Sequence, residues 1–250
     1  MTTIIETYLN SLPNDILTLN VNMSYDKCIT SLPDLTRFQN LESLNCYNTQ
    51  ITSLPSLPKS LKILYCVKNK LTSLPDLSDF HNLEILNCEF NKLTSLPSLP
   101  QNLKRIQCSF NELTSLPDLT GFEHLEALQC YNNNLMSLPS LPQNLEALHC
   151  YNNNLTSLPS FPQNLKIVRC FNNHIYKTVD SSSLSQIKKN VQIVNNFRHL
   201  YYCLKFKKQL RKWLWEKVRE PKIMRIYNPV YLIENLNEDD DLDFVLNNWK

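Results

Sequence analysis

Cysteine and histidine are the residues of this chain with the most reactive side chains, and there are nine of the first and five of the second. A thiolate can attack an electrophile, bind a metal or form a disulfide, and an imidazole can bind a metal or transfer a proton. Seven cysteines recur at intervals of 20 or 22 residues: Cys46, Cys66, Cys88, Cys108, Cys130, Cys150 and Cys170. No C-x-x-C pair occurs, and the histidines fall at different phases of the interval. We therefore predict no metal centre and no cofactor.

A Ser-Leu-Pro tripeptide keeps the same interval as the cysteines. It occurs at residues 11–13, 31–33, 53–55, 73–75, 95–97, 115–117, 137–139 and 157–159. Two residue types that stay in register indicate an internal repeat. Each unit follows the pattern L-x-x-L-x-C-x-x-N-x-L, for example Leu145, Leu148, Cys150, Asn153 and Leu155.

The alternation within each unit predicts a short β-strand. Leu148 and Cys150 alternate with Ala147 and His149, which is the two-residue period of a strand. Stacked repeats would add one strand each to a parallel sheet, with the leucines and thiols turned into the core. A buried cysteine then acts as a small apolar residue, and the asparagine column bonds to backbone groups.

The segments that return from one strand to the next are of two kinds. The shorter kind, such as residues 95–103, has closely spaced prolines and is predicted to be extended and polyproline-like. The longer kind, such as residues 76–83, can begin a helical turn that is capped by Asp, Ser or Thr. The phenylalanines Phe38, Phe80 and Phe122 would pack beneath those turns.

The unit resembles the leucine-rich repeat, with cysteine in a position usually held by an aliphatic residue. The shorter unit is similar to the 20-residue class of bacterial effector proteins. The alternation of lengths, the cysteine column and the tail after Trp215 resemble leucine-rich-repeat proteins of giant DNA viruses (mimivirus-like). The resemblance implies an α/β fold: a solenoid with a curved parallel sheet on its concave side and extended or short helical turns on its convex side. A C-terminal helical tail follows.

Four segments are predicted from these patterns. Residues 1–12 form an N-terminal lead-in, and residues 13–176 form eight repeats. Residues 177–196 form a degenerate repeat or cap transition. Residues 197–250 form a helical tail. We expect its basic stretch to be a helix that begins at Phe197 and ends before Pro221.

The concave face is the candidate binding surface, because its side chains differ from one repeat to the next. Aromatic, polar and basic residues stand at its outward positions, and we select Tyr47, Tyr65, Gln129, Tyr131, His149, Tyr151, Arg169 and Phe171. Exposed aromatics beside an arginine are typical anchors of protein interfaces. The same aromatics could instead stack along the sheet and only stabilise it. The sequence leaves both interpretations open.

The tail offers a second, different hypothesis. Its basic residues Lys205, Lys207, Lys208, Arg211 and Lys212 could bind nucleic acid or an anionic membrane surface. The alternative is that this helix covers the open end of the last repeat, as solenoids require. We favour the covering role, since an acidic block at residues 234–243 could pair with these bases.

Several function classes are excluded on composition. A single glycine does not suffice for the Gly-rich loops that hold phosphates. No activated nucleophile or carboxylate pair is visible, and Cys203 lacks the acidic neighbour of the ligase cysteine found in some bacterial effectors. We therefore expect a protein that is not an enzyme and that binds a host or viral polypeptide.

The location expected from the sequence is the inside of a cell. No secretory signal and no apolar run long enough to span a membrane are found. For a viral protein, the resemblance implies the host cytoplasm. We expect a monomer.

Overall fold

The computed structural model describes residues 4–21, 29–175, 184–205 and 212. The chain divides into two compact units, residues 1–195 and 196–250. The described residues form two helices and eight strands of three residues each. The helices are α1 (Ile4–Ser11) and α2 (Leu184–Lys205). The strands are β1 (Thr18–Asn20), β2 (Ser43–Asn45), β3 (Ile63–Tyr65), β4 (Ile85–Asn87), β5 (Arg105–Gln107), β6 (Ala127–Gln129), β7 (Ala147–His149) and β8 (Ile167–Arg169).

The eight strands make one parallel sheet in chain order, from β1 to β8. Equivalent residues of successive repeats face each other, so that Leu128 pairs with Leu148 and Leu148 with Val168. Each interval of 20 or 22 residues therefore adds one strand, which confirms the predicted parallel solenoid. A three-residue strand has too few hydrogen bonds to be stable alone, so each strand depends on its neighbours.

The cysteines of the repeat lie in the core, as predicted. All seven are buried, the six from Cys46 to Cys150 form no disulfide, and Cys88, Cys108 and Cys130 have no exposed surface. Burial raises the pKa of the Cys88 thiol and of the Cys130 thiol to about 12. Four of the thiols donate a weak hydrogen bond to a carbonyl of the next strand, for example Cys46 Sγ to the Tyr65 oxygen at 3.3 Å. At neutral pH these thiols are protonated, apolar parts of the core.

The asparagine column satisfies backbone groups where each strand turns away from the sheet. The Nδ2 group of Asn133 donates to the carbonyl oxygens of Cys108 and Cys130 at 3.0 and 3.1 Å. Its Oδ1 atom accepts from the Leu113 amide at 3.0 Å. One side chain thus joins its own repeat to the preceding one. The predicted role of this column is confirmed.

The longer return segments contain two successive tight turns, and no α-helix is formed in them. In the first, the Phe38 amide donates to the Leu35 carbonyl, and the Leu41 amide donates to the Phe38 carbonyl. The carboxylate of Asp34 caps the turn by accepting from the amide and the hydroxyl of Thr36. The chain does not continue as a helix beyond these two turns, because the Leu41 side chain is buried in the core. Phe38, Phe80 and Phe122 are buried as predicted.

Helix α1 is a feature that the predicted lead-in does not include. Ile5 and Leu9 are buried against the first repeat, and Tyr8 and Leu12 pack at the edge of the same cluster. The Arg37 guanidinium donates to the Leu9 carbonyl, which also accepts from the Leu12 amide at the end of this helix. Residues 4–11 of the lead-in therefore form a helix that covers the first strand's side of the core.

Helix α2 begins at Leu184, earlier than the start at Phe197 that we expected. Ile187 and Val191 are buried in the repeat core, and Val194 packs against it. The Lys188 ammonium donates to the carbonyls of Pro162 and Gln163, so the helix is anchored on the last return segment. Neither helix, within the described residues, is long and apolar enough to cross a lipid bilayer. The predicted limits of the four segments stay predictions.

Candidate binding surface on the open face of the sheet

One side of the sheet turns its side chains away from the core, and we call it the open face. It carries the first and third residue of each strand and the two residues that follow each core cysteine. In β6, Leu128 is buried while Ala127 and Gln129 are partly exposed. This is the side predicted to be concave, and all eight selected residues stand on it.

The third strand position forms a column of hydrogen-bonding side chains. Asn87 Nδ2 donates to Gln107 Oε1 at 3.0 Å, and Gln107 Nε2 donates to Gln129 Oε1 at 3.3 Å. Gln129 is paired in register with His149, and His149 with Arg169. The structure thus places three of the predicted residues side by side on β6, β7 and β8.

Three of the predicted aromatics form a continuous stack beside that column. The rings of Tyr131 and Tyr151 lie 4.4 Å apart at 11°, and those of Tyr151 and Phe171 lie 4.5 Å apart at 13°. Such offset stacks contribute about 0.5–1.5 kcal/mol per pair beyond burial. Phe171, at the end of the stack, is 43% exposed.

The stack is longer than the sequence indicates, because it continues into Phe90 and Phe110. These two rings stack at 4.0 Å, and Phe110 meets Tyr131 edge-on at 5.4 Å and 80°. We call Phe90, Phe110, Tyr131, Tyr151 and Phe171 the aromatic ladder. Both phenylalanines have a positive φ, 55° and 54°. They occupy the position held by asparagine in the units around residues 132, 152 and 172, and this departure from asparagine is the signal that could have found them.

Tyr47 and Tyr65 lie apart from the other predicted residues. Tyr47 is 40% exposed, and Val67, Glu89 and Ser109 separate it from Tyr131 in the same column. The Lys68 ammonium lies 5.4 Å from the centre of the Tyr47 ring and 5.9 Å from that of Phe90. A cation between two rings therefore links Tyr47 to the start of the ladder.

Burial and neighbouring charge perturb two groups on the open face. The pKa of His149 is lowered, first by burial and then by the Arg169 cation, so its imidazole is neutral at neutral pH. The pKa of Tyr131 is raised, mainly by burial and next by the Glu89 carboxylate. Two buried polar atoms within the described residues have no hydrogen-bond partner, Glu89 Oε1 and His149 Nε2. Both belong to this face.

The basic residues of the tail lie mostly outside the described residues. Lys205 ends helix α2, and Lys212 is exposed. Lys207, Lys208 and Arg211 fall in the part that is not described, so the nucleic-acid hypothesis stays a prediction. Among the described residues, no three His, Cys, Asp or Glu side chains gather where they could hold a metal ion.

Two family models match this sequence, and both describe the same repeat. The model for Leucine Rich repeats (2 copies) matches residues 59–101, and the model for Leucine Rich Repeat matches residues 144–165. No curated protein matches the chain.

Solved structures with the same architecture come from bacteria. The leucine-rich effector protein YopM of Yersinia pestis is 35% identical with a TM-score of 0.57, over 59% of this chain and 42% of that one. The functional domain of InlJ from Listeria monocytogenes, described as including a cysteine ladder, is 30% identical with a TM-score of 0.54. That match covers 64% of this chain and 35% of InlJ.

A third structure, the leucine-rich-repeat domain of a Shigella effector, is similar over most of its length. It is 30% identical with a TM-score of 0.58, and the match covers 69% of this chain and 74% of the Shigella domain. The matched spans of YopM and InlJ are less than half of those chains. The repeat pattern, the parallel sheet and this coverage lead to one assignment: the chain belongs to the leucine-rich-repeat family.

Proposed function

We propose that this protein is a non-enzymatic scaffold that binds a polypeptide on the open face of its sheet. The observation that carries the proposal is the aromatic ladder, which places five rings in a row on the exposed side of a rigid sheet. Aromatic side chains supply a large contact area at a small cost in conformational entropy.

The contrast between the two sides of the sheet supports this proposal. Core positions repeat from unit to unit, with leucine, cysteine and asparagine at fixed places. Open-face positions change, so that the third strand residue is Gln129, His149 and then Arg169. A constant framework with variable outward side chains is how repeat proteins present extended binding surfaces. Arg169 extends the surface with an exposed cation at the end of the ladder.

The partner and the setting follow from the resemblance to viral and effector proteins. The partner is a host or viral polypeptide, and binding takes place in the cytoplasm of an infected cell. The scaffold acts as a monomer, because one copy carries the complete ladder. This setting rests on the resemblance alone.

Removal of two central rings is the direct test. We expect Tyr131→Ala together with Tyr151→Ala to weaken partner binding by roughly 1,000-fold, since central aromatics of interfaces contribute about 2 kcal/mol or more each when they anchor a complex and about 1.4 kcal/mol is a factor of ten in affinity. The partner is first captured from host-cell extract by the wild-type chain. Affinity is then measured with purified components by isothermal titration calorimetry.

The matched control changes two exposed residues on the same two repeats but off the ladder, Met136→Ala with Thr156→Ala. This control should bind as the wild type does. The ladder variant also loses stacking, so a loss of about 1–3 kcal/mol in unfolding free energy is expected, and circular dichroism must show that it remains folded at the assay temperature. Wild-type affinity in the folded ladder variant would contradict the proposal, as would equal losses in both variants.

A further inference from the structure

The aromatic ladder has a step between Phe110 and Tyr131. Every other contact in it is a parallel stack at 11–13°, whereas these two rings meet at 80°. The step arises because Phe90 and Phe110 stand one residue later in their repeats than Tyr131 does. The column of Tyr131 is continued instead by Ser109 and Glu89, which are much smaller or charged.

The carboxylate at this step lacks a hydrogen-bond partner. Glu89 Oε1 is buried and accepts no hydrogen bond, whereas the Ser109 hydroxyl is hydrogen-bonded to Tyr131. Glu89 as a whole is only partly buried, so its carboxylate is open on the side of Oε2, which is not among the buried atoms. An unsatisfied buried polar atom costs about 1–3 kcal/mol, and more when it belongs to a charged group. A cation that a ligand places at Oε2 would offset part of that cost.

A positive φ recurs at the second residue after each core cysteine, and at this step two phenylalanines hold it. Phe90 and Phe110 hold positive φ angles of 55° and 54°, in a region where a bulky residue costs about 1–2 kcal/mol. Asn132 and Asn152 hold the equivalent position in later repeats, and asparagine adopts this conformation readily. Phe90 and Phe110 nevertheless stand there with 39% and 38% of their surface exposed. Two exposed rings beside an unpaired carboxylate are therefore held by a backbone conformation that is unfavourable for phenylalanine.

One ring of the step, Phe90, already has a cation beside it. The Lys68 ammonium lies over the rings of Tyr47 and Phe90, and it makes no salt bridge with Glu89. The four ion pairs among the described residues all lie away from this step, for example Lys62 with Glu42. The Glu89 carboxylate is therefore left without a charged partner in this part of the chain.

We propose that the step, formed by Glu89, Phe90, Ser109, Phe110 and Tyr131, binds an arginine side chain of the partner polypeptide. The guanidinium donates hydrogen bonds to the Glu89 carboxylate and lies against the exposed phenylalanine rings. Arginine fits better than lysine because its planar group can lie against aromatic rings while it donates to a carboxylate. This inference rests on the proposed function, since it names the chemistry that the open face recognises.

The first test uses short peptides and the full-length protein. Acetyl-Gly-Arg-Gly-amide is titrated into the isotope-labelled chain while amide chemical shifts are followed by NMR. We expect shifts centred on residues 89, 90 and 110. The matched peptide with citrulline, which is neutral but similar in shape, should cause none, and neither should the peptide with glutamate.

Two variants complete this test. Glu89→Gln keeps the side-chain size and should weaken binding of the arginine peptide by about tenfold, which is the effect of losing one charge-assisted hydrogen bond. Glu42→Gln removes an exposed carboxylate that is already paired with Lys62, and it should change nothing. Equal binding of the citrulline peptide, unchanged affinity in Glu89→Gln, or no shift with the arginine peptide would overturn the inference.

The second test separates this inference from the proposed function by using the captured partner. If Glu89→Gln lowers partner affinity and Glu42→Gln does not, the inference gains direct support. If Tyr131→Ala with Tyr151→Ala abolishes binding while Glu89→Gln leaves it intact, the arginine site is wrong and the binding face stands. If neither variant affects binding, the binding face itself is wrong.

Discussion

The asparagine column and the cysteine column stabilise the fold in different ways. Cys130 fills space in the core and forms part of its apolar surface. Asn133 instead makes hydrogen bonds that join two repeats, to the carbonyls of Cys108 and Cys130 and from the Leu113 amide. Because these backbone groups are buried, water cannot replace the hydrogen bonds that they would lose without the asparagine.

This difference predicts the effect of removing one asparagine. Asn133→Ala should lower the unfolding free energy by about 1–3 kcal/mol or more, since several buried backbone groups lose their partner at once. The exposed neighbour Asn134 makes no side-chain hydrogen bond within the described part of the chain. Asn134→Ala should therefore change the unfolding free energy by less than about 0.5 kcal/mol. Urea titration followed by circular dichroism gives both values. Equal stability of the two variants would show that the column does not have this role.

At the residue scale, the sequence predicts inward positions better than outward ones. Burial imposes a period, so Leu128, Cys130 and Asn133 can be assigned from spacing alone. Outward positions share this period, but burial does not fix the type of residue that stands there. Tyr131 and Tyr151 were selected because they alternate with core residues, whereas Phe90 and Phe110 stand one residue further along, where the positive φ turns them back towards the ladder.

At the scale of elements, three-residue strands leave the two ends of the core uncovered. Helix α1 covers the first end with Ile5 and Leu9, and the first part of helix α2 packs Ile187 and Val191 on the last repeats. Uncovered apolar ends would expose the core to water and to other chains. The helices are therefore part of the solenoid's stability.

Because α1 covers one end of the core, we expect a single truncated side chain in it to lower the stability of the protein strongly. Leu9 is 2% exposed, and Leu9→Ala should destabilise the protein by about 2–5 kcal/mol through lost burial and a residual cavity. The adjacent Asn10 is exposed, and Asn10→Ala serves as the control. Thermal unfolding by calorimetry compares the two. If Leu9→Ala unfolds at the wild-type temperature, α1 does not contribute to the core.

Both helices were harder to predict than the strands, for reasons of length and register. In α1 the apolar residues Ile5, Tyr8, Leu9 and Leu12 have helical spacing, but the helix has only eight residues and merges with the first Ser-Leu-Pro. In α2 the apolar stripe begins with Leu184 and Ile187, before the basic stretch on which the predicted start at Phe197 rests. A helix stabilised mainly by packing carries a weak local signal.

At the scale of the whole molecule, the repeats are interchangeable units. Every repeat adds one strand and contacts its neighbours, so stability is close to a sum over units and interfaces. The 20-residue interval between residues 133 and 153 returns the chain to an equivalent position, since both are buried asparagines. A unit can therefore be removed without breaking the register.

This interchangeability predicts the outcome of two deletions. Deletion of residues 134–153 removes one complete unit with strand β7, and the protein should remain folded with a smaller unfolding free energy. Deletion of residues 134–143 removes half a unit, so core and surface positions no longer alternate correctly, and the chain should not fold cooperatively. Far-ultraviolet circular dichroism with thermal unfolding distinguishes them. Similar behaviour of both deletions would contradict one strand per repeat.

The central claim is that one side of each strand faces the core while the other forms the binding surface. Alkylation of cysteines in the native protein, read residue by residue by mass spectrometry, tests it most directly. A thiol must be accessible and ionised to react, and burial prevents both, with the pKa of Cys88 and Cys130 raised to about 12. We predict that the seven core cysteines remain unmodified by iodoacetamide at pH 8 and react fully in denaturant. Rapid modification of these thiols in the folded protein would contradict the account.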